Sequence, residues 1–183
     1  MIFQMTLNLN IIKKLKPEGN IAVLLSNGLD STVLYGLLKK VHNNITTINL
    51  IRPTLRDINY SADIHMELIN GNSEYQRVRD TILYNIMPYY DQVWNGENAV
   101  PNKKWFLNHE DLPNRGTKEI DDGYYSPFLF LQKSEIIFLA KKYNIDIRRT
   151  VSCIVNQDTH CKNCWFCKER EYGYIENNLE VEW

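Results

Sequence analysis

The sequence predicts an α/β fold: a doubly wound parallel sheet followed by a C-terminal zinc-binding segment. Three observations predict it. A short apolar run, residues 21–26, breaks into a small polar turn at 26–31 and then an amphipathic helix. A second run, rich in β-branched residues, follows at 45–51. All four cysteines, Cys153, Cys161, Cys164 and Cys167, lie in one short stretch.

Length and charge set the frame. The chain has 183 residues, close to one domain at about 150 residues per domain, so residues 1–183 are read as a single unit. Hydrophobic residues make up 44%, enough to build a core. Lys plus Arg number 21 and Asp plus Glu 22, for a net charge of −1, which argues against a bare electrostatic grip on nucleic acid. No apolar run approaches the roughly 20 residues of a membrane helix. The N-terminal residues lack the apolar stretch and small-residue cleavage site of a secretory signal. The expected compartment is therefore the cytoplasm, the cell's own or a host's.

Each element follows from local pattern. Residues 21–26 are continuously apolar and end abruptly, as a buried parallel strand does. Asp30 and Ser31 offer N-cap chemistry. Val33, Leu34, Leu37, Leu38 and Val41 recur at helical spacing. Residues 45–51 complete a strand–helix–strand unit, which should cross over right-handed. Residues 60–69 read as a short helix. Residues 74–90 read as a longer one, with Val78, Ile82, Leu83, Ile86 and Tyr90 on one face. Residues 92–94 suggest a strand, 95–126 a long loop, 132–143 a helix and 168–178 a closing helix.

Two motifs carry chemistry. Ser26-Asn27-Gly28-Leu29-Asp30-Ser31 sits between a strand and a helix, where small residues let backbone N–H groups and a helix N-terminus face an anion. It has neither the Gly-Lys-Ser/Thr of a Walker loop nor the spacing of a dinucleotide fingerprint. A plain strand–helix turn capped by Asp30 is the bland alternative. The cysteines are spaced Cys-x7-Cys-x2-Cys-x2-Cys. Four thiolates can close a tetrahedron around Zn²⁺, a structural site with no open position. A four-iron cluster is the competing reading, although the usual downstream Cys-Pro is absent. Disulfides do not suit a chain without a secretory signal. His160 adjoins the cluster and is expected on the surface.

The first motif resembles the pyrophosphate loop of the N-type ATP pyrophosphatases, Ser-Gly-Gly-x-Asp-Ser. Ser26, Gly28, Asp30 and Ser31 match; Asn27 replaces the first glycine, and Asn tolerates positive φ better than other non-glycine residues. Both motifs together resemble the QueC-type 7-cyano-7-deazaguanine synthase family. Leu131-Gln132-Lys133-Ser134-Glu135-Ile136 resembles that family's Leu-x-Lys-x-Glu-Ile block, and Gly96-x-Asn98 its Gly-x-Asn at a strand end. Residues 20–40 and 127–170 match well; 52–92 and 99–126 match poorly.

The resemblance implies an adenine nucleotide α-hydrolase-like fold and an ATP-dependent ligase. ATP would bind at Ser26, Asn27, Gly28, Leu29, Asp30, Ser31 and Thr32. Asp30, Ser31 and Lys133 would be catalytic, Mg²⁺ would accompany the triphosphate, and Zn²⁺ would occupy residues 152–170. The substrates would be 7-carboxy-7-deazaguanine and ammonia, converted through an acyl-adenylate to the nitrile or, for a modified DNA base, to the amide. Arg77, Gly96 and Asn98 would bind the substrate. Homodimerisation is left open.

Some of these residues have readings of their own. Lys133 falls in the first turn of a helix, where a cation opposes the dipole; that suggests phosphate neutralisation, with a solvated lysine as the alternative. Arg77 and Arg79 could grip a carboxylate or simply be solvated. Trp94, Trp105 and Trp165 could stack on a base, though packing is the simpler reading. Two other functions remain: a diverged loop protein that adenylates something else or nothing, and a zinc-bearing nucleic-acid module using Lys141, Lys142, Arg148, Arg149, Lys162, Lys168 and Arg170 as a basic patch.

Overall fold

Strand β1 (Ile21–Leu24) is buried on both faces, as an unbroken apolar run requires; Ile21, Ala22 and Val23 are fully enclosed. In the computed structural model, which describes residues 16–51, 61–99, 120–156 and 159–183, β1 lies at the centre of a six-stranded sheet. Its parallel neighbours are β2 (Ile45–Ile51) and β4 (Gln92–Trp94). Outside them lie β3 (Ile64–Glu67), parallel to β2, and the hairpin of β5 (Ile120–Asp121) and β6 (Tyr124–Tyr125). β6 runs parallel to β4 and β5 antiparallel to β6.

Side chains alternate across the sheet and fill two layers. On one face Ile21, Val23 and Trp94 pack against α1 (Leu29–Leu38), α3 (Lys133–Lys142) and Tyr174 of α4 (Trp165–Glu176). On the other, Ala22, Ile48 and Val93 meet Ile82 and Ile86, which follow α2 (Glu74–Thr81). Helical segments on both faces of a parallel sheet make the expected doubly wound arrangement. Its chain reversal places the carboxyl end of β1, where residues 26–31 lie, at the crevice typical of ligand sites.

The structure corrects several expectations. Residues 64–67 are a strand, not part of a helix, because β2 offers a free edge and Asp63 docks on it, its carboxylate accepting from Thr47 N and Oγ1 at 2.8 Å. The helix from residue 74 is not uniform. After α2 it widens into a π turn (Ile82–Ile86) and tightens into a 3₁₀ turn (Met87–Tyr89) containing Pro88. Ile82 and Ile86 point inward while Leu83 is exposed. α1 begins two residues earlier than an Asp30 cap would set it. Gly28 is the cap, with no side-chain bond, and Asp30 lies inside the first turn. Residues 120–125 form the hairpin inside the expected loop. The closing helix starts at Trp165, earlier than residue 168, and ends at Glu176. Trp94 is core, stacked on Tyr125 at 4.7 Å. Trp165 stacks on Phe166 at 5.2 Å, and Trp105 lies outside the described residues.

Candidate functional site

The turn at 26–31 is closed by its own atoms. Asn27 takes φ +58°, the left-handed conformation that glycine adopts without cost and Asn at modest strain. Ser31 Oγ donates to Gly28 O at 3.2 Å and accepts from Ser26 N at 3.2 Å. The two serine hydroxyls lie 3.1 Å apart, and Gly28 N donates to Ser26 Oγ at 3.4 Å. Thr32 N already pairs with Gly28 O, the first helical bond of α1.

Beside the turn lies a buried ionic cluster. Lys133 is the first residue of α3, whose start is fixed by a capping box in which Gln132 N donates to Glu135 Oε2 at 2.8 Å. Its side chain, 2% exposed, is not solvated: Nζ donates to Asp30 Oδ2 and lies 3.5 Å from Glu169 Oε2. Glu169 is fully buried, and its other oxygen accepts from Asn98 Nδ2 at 3.0 Å. Sequence reasoning missed Glu169, because a glutamate on a short charged helix reads as solvated.

Gly96 and Asn98, expected to touch substrate, are engaged within the protein. A Cβ on Gly96 would stand 2.7 Å from Ser31 N and 2.9 Å from the Asp30 carbonyl carbon, so the chain after β4 crosses the turn where only glycine fits. Arg77, on α2, lays its stem beside Gly71, where a Cβ would stand 2.9 Å from its Cγ; Arg79 is exposed.

The cysteines converge. The four Sγ atoms lie within 4.8 Å of one another, and those of Cys153 and Cys164 are 3.9 Å apart. Four ligands at about 2.3 Å from one tetrahedral ion sit about 3.8 Å apart, so the cluster can hold a metal ion. Backbone N–H groups are aimed at the sulfurs: Asn156 N and Cys161 N donate to Cys153 Sγ at 3.2 and 3.4 Å, and Cys164 N to Cys161 Sγ at 3.2 Å. Those of Cys164 and Asn163 pull the Cys161 thiol down to about 6. Burial pushes the Cys167 thiol up, so its ionisation calls for a cation beside it. His160 is half-buried rather than on the surface. Its Nε2 accepts from Ser152 N at 3.3 Å, while burial and then the charges of Arg170 and Lys162 pull it down to about 4. That engaged nitrogen is not offered to the cluster.

Turn and cluster are joined. Val151 N donates to Asn27 O at 3.1 Å, two residues before Cys153. Cys164 caps α4, Cys167 lies in its first turn and Glu169 follows. Arg170, fully buried, donates to Thr150 O and Oγ1, Ile147 O and Glu182 O, tying the chain before the cluster to the C-terminus. Four of the seven residues of the basic patch are internal or paired with an acid. Arg170 is internal, Arg148 pairs with Asp146, Lys141 with Glu182 and Lys168 with Glu171.

Comparison with known proteins bears on the segment that contains Lys133 and the cysteines. Residues 104–178 match the model of the queuosine biosynthesis protein QueC. A 7-cyano-7-deazaguanine synthase from Nautilia profundicola is 34% identical over 74 residues, covering 40% of this chain and a third (33%) of that protein. Synthases of the same name from Methanosphaera stadtmanae and Prochlorococcus marinus are 23% and 26% identical, covering 78% and 87% of this chain and 68% and 96% of theirs. The NMN synthetase of Francisella tularensis superposes with a TM-score of 0.55 at 15% identity, covering 95% of this chain and 86% of that one; it shares the fold. The chain is thus similar to the QueC-type 7-cyano-7-deazaguanine synthases, and it spans a third of the length of the relative it matches at 34% identity.

Proposed function

We propose that this chain is an ATP-dependent ligase that activates the carboxylate of a 7-carboxy-7-deazaguanine-type substrate and transfers it to ammonia. One observation carries the reading. Lys133, Val151 and Glu169, all within the segment matched to the queuosine biosynthesis protein, meet Asp30 and Asn27 of the phosphate-type turn or lie against their partners.

In this reading the backbone of residues 26–32 cradles the β- and γ-phosphates at the N-terminus of α1. A substrate carboxylate oxygen attacks the α-phosphorus and pyrophosphate leaves. Ammonia then attacks the acyl carbon, AMP leaves with the C–O bond electrons, and the amide remains after proton loss. The amide oxygen then attacks the α-phosphorus of a second ATP with loss of pyrophosphate, and departure of AMP with loss of both amide N–H protons gives the nitrile. Lys133 would stabilise negative charge at the phosphates, and Asp30 would help to hold the Mg²⁺ that accompanies ATP. Positioning and charge stabilisation dominate such chemistry. Gly96 acts by letting the chain cross the turn, and Asn98 by orienting Glu169.

The metal is zinc in this reading, held by Cys153, Cys161, Cys164 and Cys167. It supplies folding energy to the segment and takes no part in the chemistry. Sulfurs this close suit one ion, since a cubane cluster places each thiolate on a different iron. Elemental analysis is expected to give one zinc per chain; iron with absorption near about 400 nm would overturn the assignment.

Incubation with 7-carboxy-7-deazaguanine, ATP, Mg²⁺ and ammonium tests the activity. Mass spectrometry is expected to show the amide or nitrile, with AMP and pyrophosphate. ATP left intact in the presence of all components would overturn the proposal.

A further inference from the structure

Lys133 stands between two carboxylates of unequal access. Asp30 is 22% exposed and faces the turn; Glu169 is 0% exposed and lies behind. α4 is shaped to receive this lysine. Gly173, one helical turn beyond Glu169, is where a Cβ would meet Lys133 Cγ at 3.0 Å and Ile137 Cδ1 at 2.7 Å. The helix thus offers room for the stem and charge for the head on one face. The Glu169 carboxylate is oriented by Asn98, which comes from the chain crossing the turn.

We infer that Glu169 is a positioning residue, the second counter-ion that keeps Lys133 paired when Asp30 turns to the Mg²⁺ of an incoming Mg·ATP. The inference rests on the reading of the turn as a nucleotide site. Two carboxylates face this one ammonium, and Asp30 is the more exposed of the two, the one an incoming cation can reach. Were Asp30 the sole partner, drawing it toward Mg²⁺ would leave a buried ammonium uncompensated, which is strongly unfavourable. With Glu169 behind it, Lys133 keeps an anionic partner throughout, and its head stays beside the turn instead of withdrawing into a closed pair with Asp30. No proton moves in this exchange; partners change and charge does not.

The test measures binding of a non-hydrolysable ATP analogue to the zinc-loaded protein by calorimetry, with and without Mg²⁺, for wild type, Glu169→Gln and Glu169→Asp. Gln keeps the shape and the acceptor for Asn98 and removes the charge. Affinity for the Mg²⁺ complex is expected to fall about tenfold in Glu169→Gln, with metal content and melting temperature near wild type; the loss without Mg²⁺ should stay under about threefold, and Glu169→Asp should recover most of it. Wild-type affinity in Glu169→Gln, or an equal loss with and without Mg²⁺ that Asp does not rescue, would overturn the inference alone. Should Glu169→Gln fail to retain zinc, Glu169→Asp decides. Mg²⁺-dependent affinity within about threefold of wild type supports the role, and its loss overturns it. Wild-type protein that binds no nucleotide would overturn the proposed function and this role together.

Discussion

The turn over residues 26–31 keeps its shape with its own atoms. Serine hydroxyls, a left-handed asparagine and the first bond of α1 close it, and strands β1 and β2 hold its base. The cysteine cluster lies one hydrogen bond away, and its backbone N–H groups are turned onto the sulfurs themselves. Four thiols gather, one pulled down by backbone N–H groups and one pushed up by burial, and only a cation makes all four compatible as thiolates. One region is pre-formed by hydrogen bonding; the other offers four ligand atoms to a metal ion. They are joined at Val151 and along α4, so the phosphate-type turn and the cysteine segment share one wall.

The largest expected effect falls on the cluster. Cys161→Ser or Cys164→Ser should release the metal and cost about 3 kcal/mol or more of stability, because metal-binding energy here is folding energy. Elemental analysis and thermal melting check this. A cysteine variant that loses metal yet melts like wild type would break the contrast.

Asp30→Ala probes the turn in the opposite sense. AMP formation should fall by about a hundredfold or more. Stability should drop by only about 1–2 kcal/mol, since Glu169 still pairs Lys133. Near-normal turnover in a slightly less stable protein would mean that Asp30 serves structure alone. Gly96→Ala pushes a methyl against Ser31 N, an overpacking worth about 1–3 kcal/mol. Nucleotide affinity should suffer while metal content does not. Coupled loss of both would show that the two regions fold as one.

These contrasts also explain what the sequence could reveal. The unit from β1 to β2 was legible because strand, turn and helix each announce themselves within a few residues, and the cysteine cluster because its spacing is local. The strand at 64–67 was not, because its alternation is weak and its pairing depends on Asp63 reaching Thr47, sixteen residues away. Glu169 was invisible for the same reason: nothing near it in sequence shows that Lys133 and Asn98 await it. Gly96 was legible as a motif, but its steric role needed the crossing of two chain segments.

Smaller effects sharpen the comparison. Asn27→Gly restores glycine at a position already in a glycine-like conformation, so ATP affinity and AMP formation should hold or rise by no more than several-fold, about 1 kcal/mol. A fall of two or more orders of magnitude would assign the Asn27 amide a direct contact. At the sheet edge, the Thr47 N–H and then its hydroxyl hold the Asp63 carboxyl below its usual range. Because that pKa is depressed, its stabilisation is fully present above the unfolded value of about 4 and is lost as pH falls through the folded value. Protection from hydrogen exchange at Thr47 and in β3, taken relative to the intrinsic rate at each pH, should fall in acid and stay flat from about pH 5 to 8, with the turn unaffected.

The most direct measurement is pyrophosphate–ATP isotope exchange by the zinc-loaded protein, with and without 7-carboxy-7-deazaguanine and without ammonia. Reversible adenylation predicts exchange that requires the deazapurine carboxylate and disappears in Asp30→Ala. Absence of exchange with every component present, or exchange indifferent to the deazapurine, would contradict the assignment of this site to carboxylate activation.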